Sequence, residues 1–455
     1  MSVEEQYINL YKQHAGTIEK NSAGALNDAR KAAFERFSQR GFPTKKDEEY
    51  LYTDIANPFA PDYGMNINAV DFNVNPYSSA HKYSVPGLSN RIYFVVNDQF
   101  YDKEQQPKAA PLPDGVIACS LKKAAAEHKD IVDKHYGKAS KDSKDGSVDF
   151  NTTFAEDGFF LYVPKGVKMP YPIQLVTLMT SSIDQLATCR NLIIIEDGAE
   201  AKLIDSIFAQ NDHKFLANRV TEIFVGKGAK YEHYKVENTR SDMTNLSHIF
   251  MELEENSEAL VNELTLHNGL TRNNVEVNFR GKNANLDLCG MAICDGEQHT
   301  DTDTLVNHWE GGCTTNELYK YVLDGKSTGC FSGTIMVAQD AQKTKAIQTN
   351  KNICLSKEAR MYTRPHLEIY ADDVICNHGA TVGQLNNDEI FYLRSRGIPE
   401  PVAKMLLMFA FVNDVEEKIM IPELKDAIRM MVERKFRGEI ESTCKGCASI
   451  SACHS

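Results

Sequence analysis

The stretch DDVICNHGATVG, residues 372–383, sets a thiol and an imidazole two positions apart. Strand alternation would place Cys376 and His378 on one side together with Val374, Ala380 and Val382. A soft thiolate beside an imidazole suits iron, zinc or sulfur transfer. The competing reading is a buried pair that fills an inward-facing row. The same residue types are dense upstream, at Cys289, Cys294, His299, His308, Cys313, Cys330, Cys354 and His366. None of these pairs has the C-x2-C spacing of a zinc knuckle, so local spacing does not indicate a preformed structural metal site. In a solenoid, however, residues one coil apart become neighbours, and sequence spacing understates clustering. The chain ends in STCKGCASISACHS, where Cys444 and Cys447 do form C-x2-C and Cys453 and His454 follow. Cys444, Cys447 and Cys453 are candidate metal or cluster ligands. Against that, adjacent Cys453 and His454 are awkward joint ligands, and a short Ser- and Ala-containing tail offers no shell to orient them.

Other chemistry is not indicated. The chain holds no G-x-x-x-x-G-K-[ST], no G-x-S-x-G and no H-E-x-x-H, so an autonomous enzyme is not expected. GKGAK at residue 226 lacks the spacing of a phosphate loop and reads as a turn. A formal charge of -13 argues against nucleic-acid binding, which needs a basic footprint. The longest apolar run, MLLMFAFV at 405–412, is far short of a bilayer span, so no membrane partner is expected. Eleven scattered cysteines and an N-terminus without an apolar core point to reduced thiols in a cytoplasmic protein.

The elements that would position these residues fall into four stretches. At 455 residues the chain exceeds one ordinary core unless part of it grows along an axis. Residues 1–147 read as mostly helical, with two short strands in RIYFVVNDQF and GVIACS, a helix start at Thr44, one helix through LKKAAAEHKDIVDKHYG, and a polar boundary at 138–147. Residues 148–385 read as strands whose apolar runs and turns recur with Ala199, Ala229, Ala259 and Ala284, at intervals of 30, 30 and 25 residues. That spacing predicts coils of a parallel β-helix rather than a sandwich of hairpins, which need not recur at a fixed interval. Residues 386–441 return to helix. Asn387 or Asp388 caps the first helix there, Gly397 ends it, and Pro399 opens the next. Val402, Leu406, Phe409, Val412 and Ile419 then line one helix face, widened by Met405 and Met408; such a stripe is a packing face or a partner groove. Residues 442–455 form the Cys-containing tail.

Three blocks carry a resemblance. PHLEIYADDVICNHGATVGQL…IFYLRSRGIP at 365–399 resembles the C-terminal signature of the SufB/SufD family of the Suf iron–sulfur cluster assembly machinery, on its SufD side. TGCFSGTIMVAQDAQKTKAIQTNKNICLS at 328–356 is similar to the block that precedes it, and GFPTKKDEEYLYTDI at 41–55 to the N-terminal motif. The resemblance implies a mainly β protein, a right-handed parallel β-helix flanked by helical regions. It implies a non-catalytic scaffold that pairs with a SufB-like paralogue and carries a SufC-like ABC ATPase, or pairs with itself when isolated. No tightly bound cofactor is implied; iron or a nascent Fe-S cluster would be handled transiently. The family role in cluster assembly or iron acquisition at the subunit interface transfers to His378, and Cys376 matches the motif's Cys. The ATPase contact falls on the C-terminal helices, with Phe391, Tyr392, Arg394, Arg396, Gly397, Leu406 and Phe409 as its candidate residues. The rivals are a SufB-type paralogue and a polysaccharide-acting β-helix enzyme. The second lacks a catalytic carboxylate constellation, since Asp301 and Asp303, or Asp372 and Asp373, serve as well in turns.

Overall fold

A capping box between Ser2 and Glu5 starts α1 (Val3–Lys20), and Gly41, with φ +66°, ends α2 (Gly24–Arg40). The computed structural model describes residues 2–439 except 71, 73, 105, 107 and 108, so the tail cysteines Cys444, Cys447 and Cys453 lie outside the described residues. The helix expected from Thr44 does not form. Asp47 accepts from the Thr44 N–H at 2.7 Å, and only a 3-10 turn follows at Glu48–Tyr50. Tyr50 is drawn onto Asp145 and the Arg272 guanidinium, contacts that override local propensity. After α3 (Ala56–Phe59) come β1 (Arg91–Val96), β2 (Gln99–Phe100) and β3 (Ile117–Ser120). The helix expected over 121–137 is split at His128 into α4 (Leu121–Glu127) and α5 (Lys129–His135), and α6 (Gly146–Phe154) follows.

Sixteen strands then run without an intervening helix. They are β4 (Phe159–Val163), β5 (Ile173–Met179), β6 (Gln185–Ile195), β7 (Glu200–Ala209), β8 (Phe215–Val225), β9 (Lys230–Asn238), β10 (Thr244–Leu253) and β11 (Glu258–His267). The series continues with β12 (Leu270–Phe279), β13 (Asn285–Cys294), β14 (His299–His308), β15 (Thr314–Leu323), β16 (Thr328–Val337), β17 (Lys345–Cys354), β18 (Arg360–Ile369) and β19 (Ile375–Gly383). From β4 onward alternate strands join alternate sheets. One sheet has the order β19-β17-β15-β13-β11-β9-β7-β5-β1-β2, the other β18-β16-β14-β12-β10-β8-β6-β4-β3. Apart from the antiparallel pairs β1–β2 and β3–β4, neighbours are parallel, which hairpins cannot produce. The chain is a parallel β-helix, and β1 and β3 carry its two sheets back into the N-terminal region.

The register corrects one alignment. Glu200, Lys230, Glu258, Asn285, Thr314, Lys345 and Ile375 stack in one column, so successive coils take 30, 28, 27, 29, 31 and 30 residues. Ser257, not Ala259, therefore occupies the turn position of Ala199, Ala229 and Ala284. A left-handed residue immediately precedes those three alanines, namely Gly198, Gly228 and Asn283. A small buried side chain then lets the next coil stack without a gap.

The inside of the coil holds the largest core, from Val95 and Leu161 through Ile193, Val277 and Val306 to Val337. The outer faces are covered from both ends of the chain. An aromatic cluster of Tyr7, Phe37, Phe42, Phe59 and Phe150 packs on Leu186, Leu216 and Leu246 of the β6–β8–β10 face. On the opposite sheet sit α8 (Glu400–Glu416) and α9 (Pro422–Phe436), with Val412, Val415, Leu424 and Ile428 against Val236, Leu264 and Met291. α7 (Asn387–Ser395) is capped by Asn386, one residue before the expected cap. No helix among the described residues is long and apolar enough to cross a membrane.

Candidate assembly site at the open end of the solenoid

Cys376 and His378 lie on β19, which among the described residues pairs in its sheet with β17. Cys376 pairs with Ala346 and His378 with Gln348, both fully buried inside the coil. The alternation expected from sequence therefore holds, and both side chains belong to inward rows. What differs from a core pair is that no further coil among the described residues covers them: His378 is exposed and Cys376 half-buried. Burial raises the Cys376 thiol above its usual range, so it is protonated at rest.

Behind His378 the row is polar. Gln348 Nε2 donates to Glu317 Oε2 at 2.8 Å, and Thr304 Oγ1 donates to Oε1 at 2.5 Å. In the neighbouring inward row, which ends at Ala380, Lys235 lies 3.2 Å from Glu263, and Tyr319 donates to that carboxylate at 3.0 Å. Burial pushes the Glu317 carboxyl up to about 7, and the unfolded value is about 4.3. The folded state thus keeps a proton that the unfolded chain releases, and this stability is lost as pH rises from about 4.3 through about 7. Glu317→Gln is expected to remove that loss. Its melting temperature should gain on the parent's as pH rises, levelling off above neutrality; parallel curves would place the titration elsewhere.

The edge itself is unusual. β18 carries Arg360, Arg364, Pro365 and Glu368, the residue types that guard free edges, whereas β19 (ICNHGATVG) carries no Lys, Arg, Asp, Glu or Pro. Ile375 and Tyr370 are each 64% exposed beside it, and Val382 is 51% exposed. A Cβ added at Gly379 or Gly383 would meet nothing within 4 Å. Contacts within the described residues therefore do not explain those glycines, whereas a close-approaching backbone would.

The candidate contact residues on the C-terminal helices divide. Phe391 (73% exposed), Tyr392 (57%) and Leu406 (43%) face outward, as do Arg394, Arg396 and Gly397. Phe409 instead stacks edge-on against Phe436 at 5.2 Å, inside the packing between α8 and α9. The stripe splits for the same reason: Val412 and Ile419 are buried, while Val402 and Leu406 lie on the free side. α8 is tied to the solenoid through buried Lys320, 2.5 Å from Asp414 and 2.6 Å from the Phe411 carbonyl. Sequence reasoning singled out one cluster too few. His299, Asp301 and Cys330 converge on the outer face of β14 and β16, far from His378 in kind of surface. Only the coil length, which sets Asp301 beside Cys330, could have found it.

The fold class is thus a parallel β-solenoid with helices on both faces and a terminal strand without guarding charges. Within it, two family models cover nearly the whole chain: "SufBD protein N-terminal region" matches residues 1–175, and "SUF system FeS cluster assembly, SufBD core domain" matches 178–411. The chain belongs to the SufBD family of iron–sulfur cluster assembly proteins. It is 27% identical to an iron-sulfur cluster assembly SufBD family protein of Synechocystis over 90% of both chains. It is 32% identical to Escherichia coli SufD over 55% of this chain and 59% of that one. To Bacillus subtilis SufD it is 28% identical over 71% of this chain and 74% of the relative.

Proposed function

We propose that this chain is a SufD-type scaffold working in the cytoplasm. It pairs with a SufB-like paralogue through the β18–β19 end and carries a SufC-like ABC ATPase on α7 and α8. It presents His378 to the nascent cluster, with iron and sulfide as cargo rather than resident cofactor. The observation that carries the reading is an inward row whose last member, His378, is left uncovered on an edge strand without guarding charges. A second solenoid end laid on β19 would cover that row and pair its open N–H and C=O groups. Without the paralogue, the same end would accept a second copy of the chain.

The two proposed contacts are coupled by the chain itself. Only residues 384–386 separate β19 from α7. Movement of α7 during the ATPase cycle would therefore pull directly on the strand that bears His378. Such coupling requires two states that differ at both sites.

The ATPase contact is testable without disturbing the core. Leu406→Asp and Phe391→Asp change exposed side chains, so each should melt near the parent yet lose capture of the SufC-like subunit by well over tenfold. Capture at parental levels would move the contact off the α7–α8 face. Phe409→Asp is unsuitable because its ring lies within the α8–α9 packing.

A further inference from the structure

Three unlike metal-ligating side chains meet on the outer face of the even-numbered sheet, under the N-terminal segment. His299 and Asp301 come from β14 and Cys330 from β16, where Asp301 and Cys330 sit side by side in the register. Their nitrogen, oxygen and sulfur donors all lie within 4.8 Å of one another. The fourth participant is Thr53. Its Oγ1 is 2.8 Å from His299 Nε2 and also donates to the Asp301 carboxylate, so the hydroxyl stands close to where the three donors point.

Several features distinguish this cluster from a plain hydrogen-bond pin. Cys330 Sγ lies 4.0 Å from His299 Nε2, a contact too long to orient a thiol firmly, and its other polar neighbour is the same Thr53 hydroxyl that bridges His299 and Asp301. The supporting shell is already built. Arg272 lies 2.7 Å from Asp301 and is itself held by the Glu49 carbonyl at 2.8 Å and the Tyr50 ring at 4.2 Å. Tyr321 donates to the Cys330 carbonyl at 3.1 Å and fixes that strand. Such outer partners orient ligands in metal sites. Arg272 also reaches Asp303, at 3.7 Å, so its guanidinium is shared between two carboxylates of this face.

We infer that His299, Asp301 and Cys330 form a binding site for a divalent transition-metal ion of the ferrous or zinc class, with Thr53 as fourth donor. Metal–ligand bonds of about 2.0–2.3 Å require donors roughly 3.3–3.6 Å apart, so closure needs the donors to draw in by about an ångström. Thr53 would retreat by a similar amount to become a ligand. The Cys330 proton leaves to water, and no redox step is involved. His299, partly exposed, is the point of entry, whereas Thr53, Asp301 and Cys330 are buried. Because Thr53 belongs to the 41–55 segment, the ion would fasten that segment to the solenoid. The inference is independent of the cluster-assembly reading: it concerns the isolated chain and a different face.

Cobalt(II) is a suitable probe, since it accepts the same donor set and reports a thiolate ligand through a charge-transfer band. The full chain would be used with Cys119, Cys354, Cys376, Cys444, Cys447 and Cys453 changed to Ser, which removes the half-buried thiols and those of the tail. It should bind one equivalent with the thiolate band. Cys330→Ser in that background should lose the band, and His299→Gln should weaken binding by more than about tenfold, as even the outer partners of ligands do. Each variant is compared by its melting curve without metal. If either fails to fold, the parent decides: X-ray absorption of its bound cobalt should show one sulfur neighbour. Absence of stoichiometric binding, a band that survives Cys330→Ser, or a shell without sulfur would each overturn the site.

Discussion

Replacing His378 by alanine is expected to reduce cluster formation by an order of magnitude or more when the chain is co-produced with its SufB-like and SufC-like partners. The three-protein complex should still assemble. The argument rests on where the imidazole sits. Its backbone neighbour Gln348 is buried and already bonded to Glu317, so the row behind His378 is occupied and fixed. His378 is exposed, so its removal opens no cavity and exposes no core. The loss should therefore appear in cluster absorption and bound iron but not in pull-down or melting temperature. A parental cluster yield in His378→Ala would remove the residue from the proposed function, and a lost complex would make it a docking contact instead.

The largest effect on stability is expected at Arg190, deep beneath the N-terminal region. Its side chain is 1% exposed and that of Glu222 is 0%, with 2.8 Å between them. Arg190 also donates to Thr152 at 2.7 Å and Ser140 at 2.6 Å, and its guanidinium lies 4.9 Å from the centre of the Tyr136 ring. Glu222 in turn accepts from the Gly137 and Ser140 N–H groups at 2.8 and 3.0 Å. The pair thus joins two coils to the 136–152 segment. Arg190→Met strands a carboxylate in a dry site, and breaking such a pair costs about 3–5 kcal/mol. The variant should unfold at a clearly lower urea midpoint. Adding Glu222→Leu should restore part of the loss, because the isolated charge then disappears. If Arg190→Met keeps the parental midpoint, the segment is held by its aromatic contacts instead.

Much of this architecture was legible. Apolar alternation marked the strands, and the near-30-residue recurrence distinguished a coil from a sandwich, because stacking forces each turn to match the last. The recurrence was misaligned at Ala259, since alanine was the marker and the position needs only a small buried side chain; Ser257 meets that need. Strand parity placed Cys376 and His378 on an inward row. Parity cannot tell that the coil ends there, so the uncovered state of the row came only from the sheet order. The region from Thr44 to Tyr50 misled for another reason. Its helix-compatible sequence yields to long-range contacts with Asp145 and Arg272. The His299 cluster joins a loop at Thr53 to residues 246 and 248 positions later, a separation no local motif records.

The in-register stacking of β17 on β19 has a genealogical consequence. A duplication or loss of one complete coil, 27 to 31 residues here, leaves every remaining strand facing as before. A single-residue insertion within a terminal strand reverses the facing of all that follow in it. Descendants of such a chain can lengthen or shorten in whole coils while His378 keeps its orientation, so overall length is free to drift and the end of the coil is not.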